Sequence, residues 1–299
     1  MRLSTSTNIV AFNPGRERNG YEFCVKLCAQ AGYRVLDLNF CEAMNPDSRM
    51  RGDGWEEYVE EIGELGAGCG VEFAQCHLPY YDVFDPASAG QAPLMEELIR
   101  RSILAAGRLG VKWAVTHPGT DYGAGPDLGA SLGKNLEYYS PHVELATKSG
   151  VGIALENDFE YQKAPFRRIF ASYVPELCAL ADSFGAPGSV GVCYDFGHGN
   201  LTGAFHAENL RIIGKRLKAI HVADNLGDKD AHLMPYFGNI DWSACMEALA
   251  EIGYDGDLTY EIQEFARYMP NDLKYAAVEL SVKVGGYLIG IYERALSGR

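Results

Sequence analysis

Five of the seven histidines in this 299-residue chain follow short apolar segments, and acidic residues follow several of the same segments. The histidines are His77, His117, His198, His221 and His232. The acidic residues are Glu156, Asp195, Asp230 and Glu261. Acids that are buried together repel one another, and a divalent cation neutralises them directly. Imidazole and carboxylate together suit Zn²⁺, Mn²⁺ or Co²⁺ better than Ca²⁺, with Mg²⁺ a further candidate, so these residue types predict a metal site.

The elements that must position these residues are indicated by a pattern that recurs along the chain. A helical stretch ends in glycine and a β-branched segment soon begins, as at Gly32 before 35–38 and Gly150 before 151–155. Glycine adopts the left-handed conformation that closes a helix, so each instance marks a helix end that leads into a strand. The predicted strands are 3–9, 35–38, 71–74, 111–115, 151–155, 190–194, 217–222 and 258–260.

Helical segments separate these strands, and the alternation predicts the fold. The predicted helices are 20–31, 55–68, 93–109, 128–149, 173–185, 206–215, 241–252 and 271–297. Strands that are apolar on both faces and alternate with helices require a parallel sheet covered by helices. Eight such units fit a closed (β/α)8 TIM barrel better than a doubly wound open sheet. We expect one domain over residues 1–299, with the site at the carboxyl ends of its strands.

The charge of the chain limits its partners. Lys and Arg number 26 and Asp and Glu number 40, which gives 26 − 40 = −14 and a pI near 4.9. A nucleic-acid binder needs clustered basic residues to neutralise phosphates, so this balance argues against nucleic acid. It argues equally against docking on an anionic membrane surface. Small molecules remain as the expected partners.

The cellular compartment is predicted from the cysteines and the absence of apolar segments. The eight cysteines are scattered and form no CxxC pair, which is typical of reduced, buried thiols. Residues 1–7 lack the apolar stretch of a secretory signal, and no apolar run is long enough to span a membrane. We therefore expect a cytoplasmic protein, and the sequence leaves open whether it forms a homo-oligomer.

The segment after the seventh predicted strand carries a family resemblance. His221-Val-Ala-Asp-Asn225, Asp230-Ala-His232 and Gly238-Asn-Ile-Asp-Trp242 resemble the strand-seven signature of the sugar phosphate isomerase/epimerase family. That family belongs to the xylose-isomerase-like barrels, which also include the endonuclease IV type of abasic-site nuclease. The resemblance covers essentially the whole chain, although Pro235-Tyr-Phe-Gly238 stands where Pro-Gly-x-Gly is usual.

The resemblance implies two different uses of the same positions. In the epimerase branch one divalent ion is held by four residues, the two glutamates serve as the acid/base pair, and the position of His198 contacts substrate. Those four residues match Glu156, Asp195, His221 and Glu261. In the nuclease branch three zinc ions have nine ligands. Those ligands match His77, His117, Glu156, Asp195, His198, His221, Asp230, His232 and Glu261.

Charge favours the isomerase branch over the nuclease. A nuclease must hold bent DNA with basic loops, whereas the predicted rim loops 80–85, 120–123 and 225–228 are acidic, aromatic or neutral. The one basic doublet, Arg167 and Arg168, is either a solvated surface pair or a ligand for a sugar phosphate. We therefore predict a metal-dependent isomerase or epimerase of a sugar or sugar phosphate.

The predicted reaction is proton transfer through an enediolate. A cation on the carbonyl and adjacent hydroxyl oxygens would spread the enediolate charge. Glu156 and Glu261 are expected to face each other across the barrel mouth, so that one removes a proton and the other returns it. The sequence leaves open a polyol or inosose dehydratase of the same superfamily, and a metal-binding barrel without catalysis.

Two loops are further candidates for substrate contact. The connection 79–93 carries Tyr80, Tyr81 and Phe84, which form either a lid or an apolar wall against the sugar, or a packing surface on a helix or subunit. The segment 13–16 after the first strand is a second candidate for approaching substrate. The sequence contains no G-x-S-x-G elbow and no P-loop, so we do not expect nucleophilic catalysis.

Overall fold

The strands lie parallel in one eight-stranded sheet, in the order β7-β6-β5-β4-β3-β2-β1-β8. The computed structural model describes residues 1–14, 18–124, 128–160 and 168–298. The strands are β1 (Leu3–Ser6), β2 (Val35–Asn39), β3 (Glu72–His77), β4 (Trp113–Thr116), β5 (Gly152–Glu156), β6 (Val190–Asp195), β7 (Leu217–His221) and β8 (Leu258–Tyr260).

Backbone hydrogen bonds join the two ends of this sheet. The N–H of Val222, directly after β7, donates to the carbonyl of Thr259 at 2.8 Å. The N–H of Glu261, directly after β8, donates to the carbonyl of Val222 at 3.1 Å. These bonds bring the sheet into a nearly closed barrel with the helices around it. The predicted (β/α)8 TIM barrel is confirmed.

Helices follow the strands and cover the outside of the barrel. They are α1 (Tyr21–Ala31), α2 (Trp55–Cys69), α3 (Ala92–Arg108), α4 (Leu128–Lys148), α5 (Val174–Ser183), α6 (Phe196–Thr202), α7 (His206–Ile213), α8 (Trp242–Ile252) and α9 (Asn271–Ser297). The glycine pattern identified their ends correctly: Gly32 and Gly150 have φ of 118° and 76°. None of the helices in the described ranges is long and apolar enough to cross a membrane.

Two local predictions were wrong. The first strand ends at Ser6 instead of residue 9, because Thr7–Val10 form a 3-10 turn in which the N–H of Asn8 bonds to the Ser6 hydroxyl. The segment after the sixth strand is the helix α6 instead of a loop. Its glycines hide it in the sequence, but Asp195 caps it by accepting from the N–H of His198.

The interior of the barrel is divided into an apolar and a polar layer. Val115, Ala154, Cys193 and Ala219 form a small buried cluster inside the ring, with Trp113 packed against it. The next residues along these strands toward their carboxyl ends include buried polar side chains. The polar site therefore lies directly above an apolar floor. Six of the eight cysteines are buried, as expected for thiols that fill the core.

Candidate functional site

Four potential metal ligands meet at the carboxyl ends of β5 to β8. Glu156, Asp195 and His221 are the last residues of β5, β6 and β7, and Glu261 directly follows β8. One ligand atom from each residue lies within 4.8 Å of those of the other three. All four side chains are buried. We call these residues the quartet, and they are the four that the resemblance implies for a single ion.

Glu156 also belongs to a second group of ligands. Its Oε1 lies 2.8 Å from Nδ1 of His221, whereas its Oε2 lies 3.3 Å from Nε2 of His77 and 3.5 Å from Nε2 of His117. His77 ends β3 and His117 follows β4. These two histidines and Glu156 form a compact group that we call the β3–β4 cluster. One carboxylate is thus shared by two potential metal sites.

The remaining three predicted ligands form what we call the outer cluster. Oδ2 of Asp230 lies 2.8 Å from Nε2 of His232 and 3.8 Å from Nε2 of His198. His198 lies on α6, and the other two residues lie in the loop between β7 and α8. Nδ1 of His232 lies 3.0 Å from the carbonyl oxygen of Glu261, which connects this loop to the quartet. The structure therefore brings all nine predicted residues into one polar region.

Asn157 links β5 to α6 and was given no role in the sequence analysis. Its side-chain oxygen accepts from the N–H of Asp195 at 2.7 Å, and its amide nitrogen donates to the Asp195 carbonyl at 3.1 Å. Its own carbonyl oxygen lies 2.8 Å from Nδ1 of His198. This arrangement leaves Nε2 of His198 directed toward Asp230. The sequence feature that could have indicated this role is an asparagine directly after a glutamate at the end of a predicted strand.

Asp224 organises the loop that carries the outer cluster, and it too was missed. Its fully buried carboxylate accepts from the N–H of Asn225 at 2.9 Å, from the N–H of Tyr236 at 3.0 Å and from Nε1 of Trp242 at 2.9 Å. Gly238 packs against it so closely that a Cβ there would lie 2.1 Å from Oδ1 of Asp224. The sequence feature that could have indicated this role is an acid three residues after a strand-end histidine, followed later by a tryptophan.

Protons on the histidines balance the acids of this region. Burial opposes a charge on His232, but its bond to Asp230 and the negative charges of Glu261, Asp230 and Asp195 together outweigh burial and raise the pKa of His232 to about 9. Burial likewise opposes the charge of Glu156, yet His221, His117 and His77 together hold the pKa of Glu156 well below its usual range. Burial raises the pKa of Asp195 to about 6. Because metal ligands must be deprotonated, a divalent ion can take the place of these imidazole protons.

The donor atoms that remain free fit a divalent cation. Oε2 of Glu156 and Oδ2 of Asp195 are buried and receive no hydrogen bond from the described residues, and the same holds for Oδ1 of Asp230. A buried anionic oxygen without a donor is costly unless a cation neutralises it. Imidazole nitrogens complete the set, which suits Zn²⁺, Mn²⁺ or Co²⁺.

A cavity of about 640 Å³ opens at the barrel mouth and reaches the quartet at Glu261, the one quartet residue in its lining. His77, His117 and Glu261 line its inner end together with the outer cluster, and Tyr80, Tyr122 and Phe159 line its sides. Among the described lining residues Arg18 is the only arginine or lysine. The acidic lining residues are Glu42, Asp47, Asp82, Asp158, Asp230 and Glu261. The cavity is therefore acidic as well as aromatic.

The loop between β3 and α3 lines the cavity and also packs on neighbouring helices. The ring of Tyr80 lies 4.8 Å from the His117 ring and faces the cavity. Tyr81 also lines the cavity and donates to Glu96 on α3 at 2.5 Å, whereas Phe84 packs 6.3 Å from the Tyr138 ring on α4. Tyr80 and Tyr81 are thus part of the cavity wall, and Tyr81 and Phe84 fix the loop to the helices.

The basic doublet and the loop after β1 fall partly outside the described residues, which exclude Gly15, Arg16 and Arg167. Arg168 forms ion pairs with Glu160, at 2.8 Å, and with Glu176, so it does not line the cavity. Asn13 accepts a hydrogen bond from Lys274 and also lies outside the lining. The described part of these segments therefore supplies no phosphate ligand.

Two curated relatives match part of the chain. An uncharacterized protein of Methanocaldococcus jannaschii is 32% identical over 194 residues, covering 62% of this chain and 62% of the relative. A probable endonuclease 4 of Geobacillus sp. strain WCH70 is 26% identical over 197 residues, covering 58% of this chain and 60% of the relative. The chain thus spans less than two thirds of the length of the curated relatives it matches.

Solved structures match the fold over almost the whole chain, and sugar epimerases are among them. A D-tagatose 3-epimerase-like protein has a TM-score of 0.70 at 23% identity, covering 97% of this chain and 100% of its own. D-psicose 3-epimerase from Clostridium cellulolyticum H10 has a TM-score of 0.71 at 15% identity, covering 96% and 99%. The model of the xylose isomerase-like TIM barrels matches residues 25–279. The chain belongs to the xylose isomerase-like TIM barrel family.

Proposed function

We propose that the protein is a divalent-metal-dependent isomerase or epimerase of an unphosphorylated keto sugar. The observation that carries the proposal is the quartet, in which Glu156 and Glu261 converge with Asp195 and His221, and Glu261 also lines the 640 Å³ cavity. The two glutamates come from strands three apart in the ring, β5 and β8. They reach a common point from different directions, which is the arrangement that a two-base proton transfer requires.

The quartet residues would hold the ion, and the glutamates would also move the proton. A divalent ion supplies positive charge that offsets the negative charge developing on the substrate oxygens. One glutamate takes the proton from the carbon beside the carbonyl, and the electrons of that C–H bond form the enediolate. The other glutamate, which must carry a proton on an oxygen that is not a metal ligand, returns that proton to the same carbon for epimerisation or to the neighbouring carbon for isomerisation.

The cavity lining supports an uncharged substrate. Its described part has six carboxylates, with Arg18 as its one arginine and no lysine, and Arg168 is held by Glu160 and Glu176. A sugar phosphate would meet repulsion there without a basic cradle. Aromatic rings such as those of Tyr80 and Phe159 offer apolar faces for a sugar ring, as in many small-molecule sites. The epimerases among the solved structures, named for D-tagatose and D-psicose, are consistent with this substrate class.

Solvent isotope exchange tests the proposal. The Mn²⁺-loaded protein is incubated in D₂O with a panel of free ketoses and aldoses, and deuterium uptake at carbon is followed by NMR. Wild-type protein is expected to exchange one substrate proton. Glu156→Gln and Glu261→Gln are each expected to abolish exchange while the circular dichroism spectrum stays native. Exchange at the wild-type rate in either variant would refute the proposed roles.

A second candidate is favoured by the outer cluster, in which Asp230 and His232 have no role in the single-ion arrangement. Nine ligands in three groups match the positions implied for a three-zinc phosphodiesterase, and one relative is a probable endonuclease 4. The acidic cavity and the net charge of −14 weigh against DNA as the substrate. Three tightly bound zinc ions together with cleavage of abasic-site DNA would establish this candidate and displace the first.

A further inference from the structure

A buried pair of polar side chains, Asp37 and Gln75, lies beside the quartet and has no part in the proposed reaction. Asp37 lies on β2 and Gln75 on β3, and the two residues are register partners in the sheet. Asp37 is 1% exposed and Gln75 is 5% exposed. A buried carboxylate inside a barrel is costly, so it requires an explanation.

Gln75 contacts the imidazole of His221 on the side away from the other quartet residues. The amide Nε2 of Gln75 lies 2.9 Å from Nε2 of His221. The other ring nitrogen, Nδ1, lies 2.8 Å from Glu156 and 3.4 Å from Glu261. His221 can therefore offer only Nδ1 to an ion shared with these glutamates. Nδ1 must then be unprotonated, so the ring proton is on Nε2 and needs an acceptor.

Turning the Gln75 amide by 180° provides that acceptor without changing the shape of the side chain. The amide oxygen then accepts from Nε2–H of His221, and the amide nitrogen becomes available to donate to Asp37, the register partner of Gln75 on β2. Both carboxylate oxygens of Asp37 are buried and lack a hydrogen bond from the described residues when the nitrogen faces His221. The turned amide therefore satisfies His221 and Asp37 at the same time, whereas the other orientation satisfies neither in the metal-bound state.

We propose that Asp37 and Gln75 are positioning residues that fix His221 with its Nδ1 lone pair directed at the ion. Asp37 accepts from the Gln75 amide nitrogen and so selects the amide orientation. The Gln75 oxygen accepts from Nε2–H and so selects the imidazole tautomer. Outer partners of this kind commonly change metal affinity by about 10–100-fold. The inference rests on the quartet being a metal site, as the proposed function requires.

Mn²⁺ affinity tests the pair without relying on turnover. Free Mn²⁺ is counted by electron paramagnetic resonance in a His117→Ala/His198→Ala background, which removes one ligand from each of the other two clusters and leaves the quartet intact. Gln75→Leu is expected to weaken Mn²⁺ binding by about 10–100-fold. Thr259→Val is the matched control, because the Thr259 hydroxyl is also buried and receives no hydrogen bond from the described residues. It is expected to leave the affinity unchanged.

A double variant in which the acid and the amide exchange places distinguishes a positioning role of the pair from a packing role. In Asp37→Asn/Gln75→Glu the new amide donates to the new carboxylate, which still accepts from Nε2–H of His221, so Mn²⁺ affinity is expected to return to within about threefold of the background. Affinity as weak as in Gln75→Leu would overturn the proposal, as would an unchanged affinity in Gln75→Leu itself. A background protein that binds no Mn²⁺ would instead overturn the metal site of the proposed function, and this inference with it.

Discussion

Nδ1 of His221 lies 2.8 Å from Oε1 of Glu156, while the second oxygen of the same carboxylate faces His77 and His117. Glu156 is therefore the junction between the quartet and the β3–β4 cluster. Its fully buried carboxylate has only histidines and other acids as close charged neighbours among the described residues. Such a group stabilises the fold only when positive charge is present, whether from imidazole protons or from an ion.

Metal removal is accordingly expected to destabilise the protein. Binding to the folded state stabilises it by about 4 kcal/mol at a ligand concentration of about 1,000 times Kd. A chelator should lower the midpoint of thermal unfolding, measured by calorimetry, and Glu156→Gln should remove most of this difference. The control is Asp228→Asn, which changes an exposed acid of the β7–α8 loop. This variant should retain the difference in unfolding midpoint between metal-loaded and chelated protein. An equal chelator effect in Glu156→Gln and wild-type protein would contradict the shared role.

The β7–α8 loop should be sensitive to a single added methyl group. In Gly238→Ala the new Cβ would lie 2.1 Å from Oδ1 of Asp224 and 2.3 Å from the Asn225 carbonyl, so the loop must shift. We expect a loss of about 1–3 kcal/mol in the free energy of unfolding, typical of overpacking, together with weaker metal binding at the outer cluster. Urea unfolding and metal counting measure the two effects.

Gly286→Ala is the matched control for this substitution. Gly286 lies within α9, and a Cβ there would meet no atom within 4 Å. Alanine is preferred to glycine in a helix, so stability should stay unchanged or rise by up to about 1 kcal/mol. If both variants lose stability equally, the close approach of Gly238 to Asp224 is not the cause.

Lys274 should stabilise the wall of the cavity formed after β1. This fully buried lysine on α9 donates to the carbonyls of Val10, at 3.1 Å, and Phe12, at 2.5 Å, and to the side chain of Asn13. Lys274→Met removes the donor to the Phe12 carbonyl and to the Asn13 side chain, while the Val10 carbonyl keeps its bond from the Asn19 side chain, so we expect a loss of about 1–3 kcal/mol in unfolding free energy. Lys283→Met, which removes an exposed ion pair on the same helix, should cost less than about 1 kcal/mol.

The sequence predicted the barrel and the convergence of the nine polar residues because both follow from local patterns. Helix-closing glycines and apolar strands set the order of elements, and a barrel brings its strand ends to one mouth. Residues such as His77 and Glu156 could therefore be assigned to a common region from their places after strands. Their separation into a quartet and two clusters depends on side-chain geometry that spacing does not specify.

Residues that act through a hydrogen-bond partner were not predictable in the same way. Asn157 and Asp224 stand next to predicted site residues, but their roles depend on partners that the fold brings together, such as Asp195 and Trp242. The helix α6 was missed for a related reason. It is only seven residues long, and an isolated helix of that length has little stability without its cap and its tertiary contacts.

His206 should make stability depend on pH outside the metal region. Nδ1 of this half-buried residue, at the start of α7, lies 2.9 Å from the Tyr194 hydroxyl, and its Nε2 is buried without a hydrogen bond from the described residues. Burial lowers the pKa of His206 to about 4. Because its unfolded pKa is about 6.5, the unfolded chain binds the additional proton between these values. The contribution of His206 to stability is therefore complete above pH 6.5 and falls as the pH is lowered toward 4, by about 2 kcal/mol between pH 7 and pH 5.

His206→Gln keeps an acceptor for Tyr194 but does not titrate, so its unfolding free energy in urea should fall less than that of wild-type protein over the same interval. Parallel pH profiles for the two proteins would show that His206 is not the titrating group.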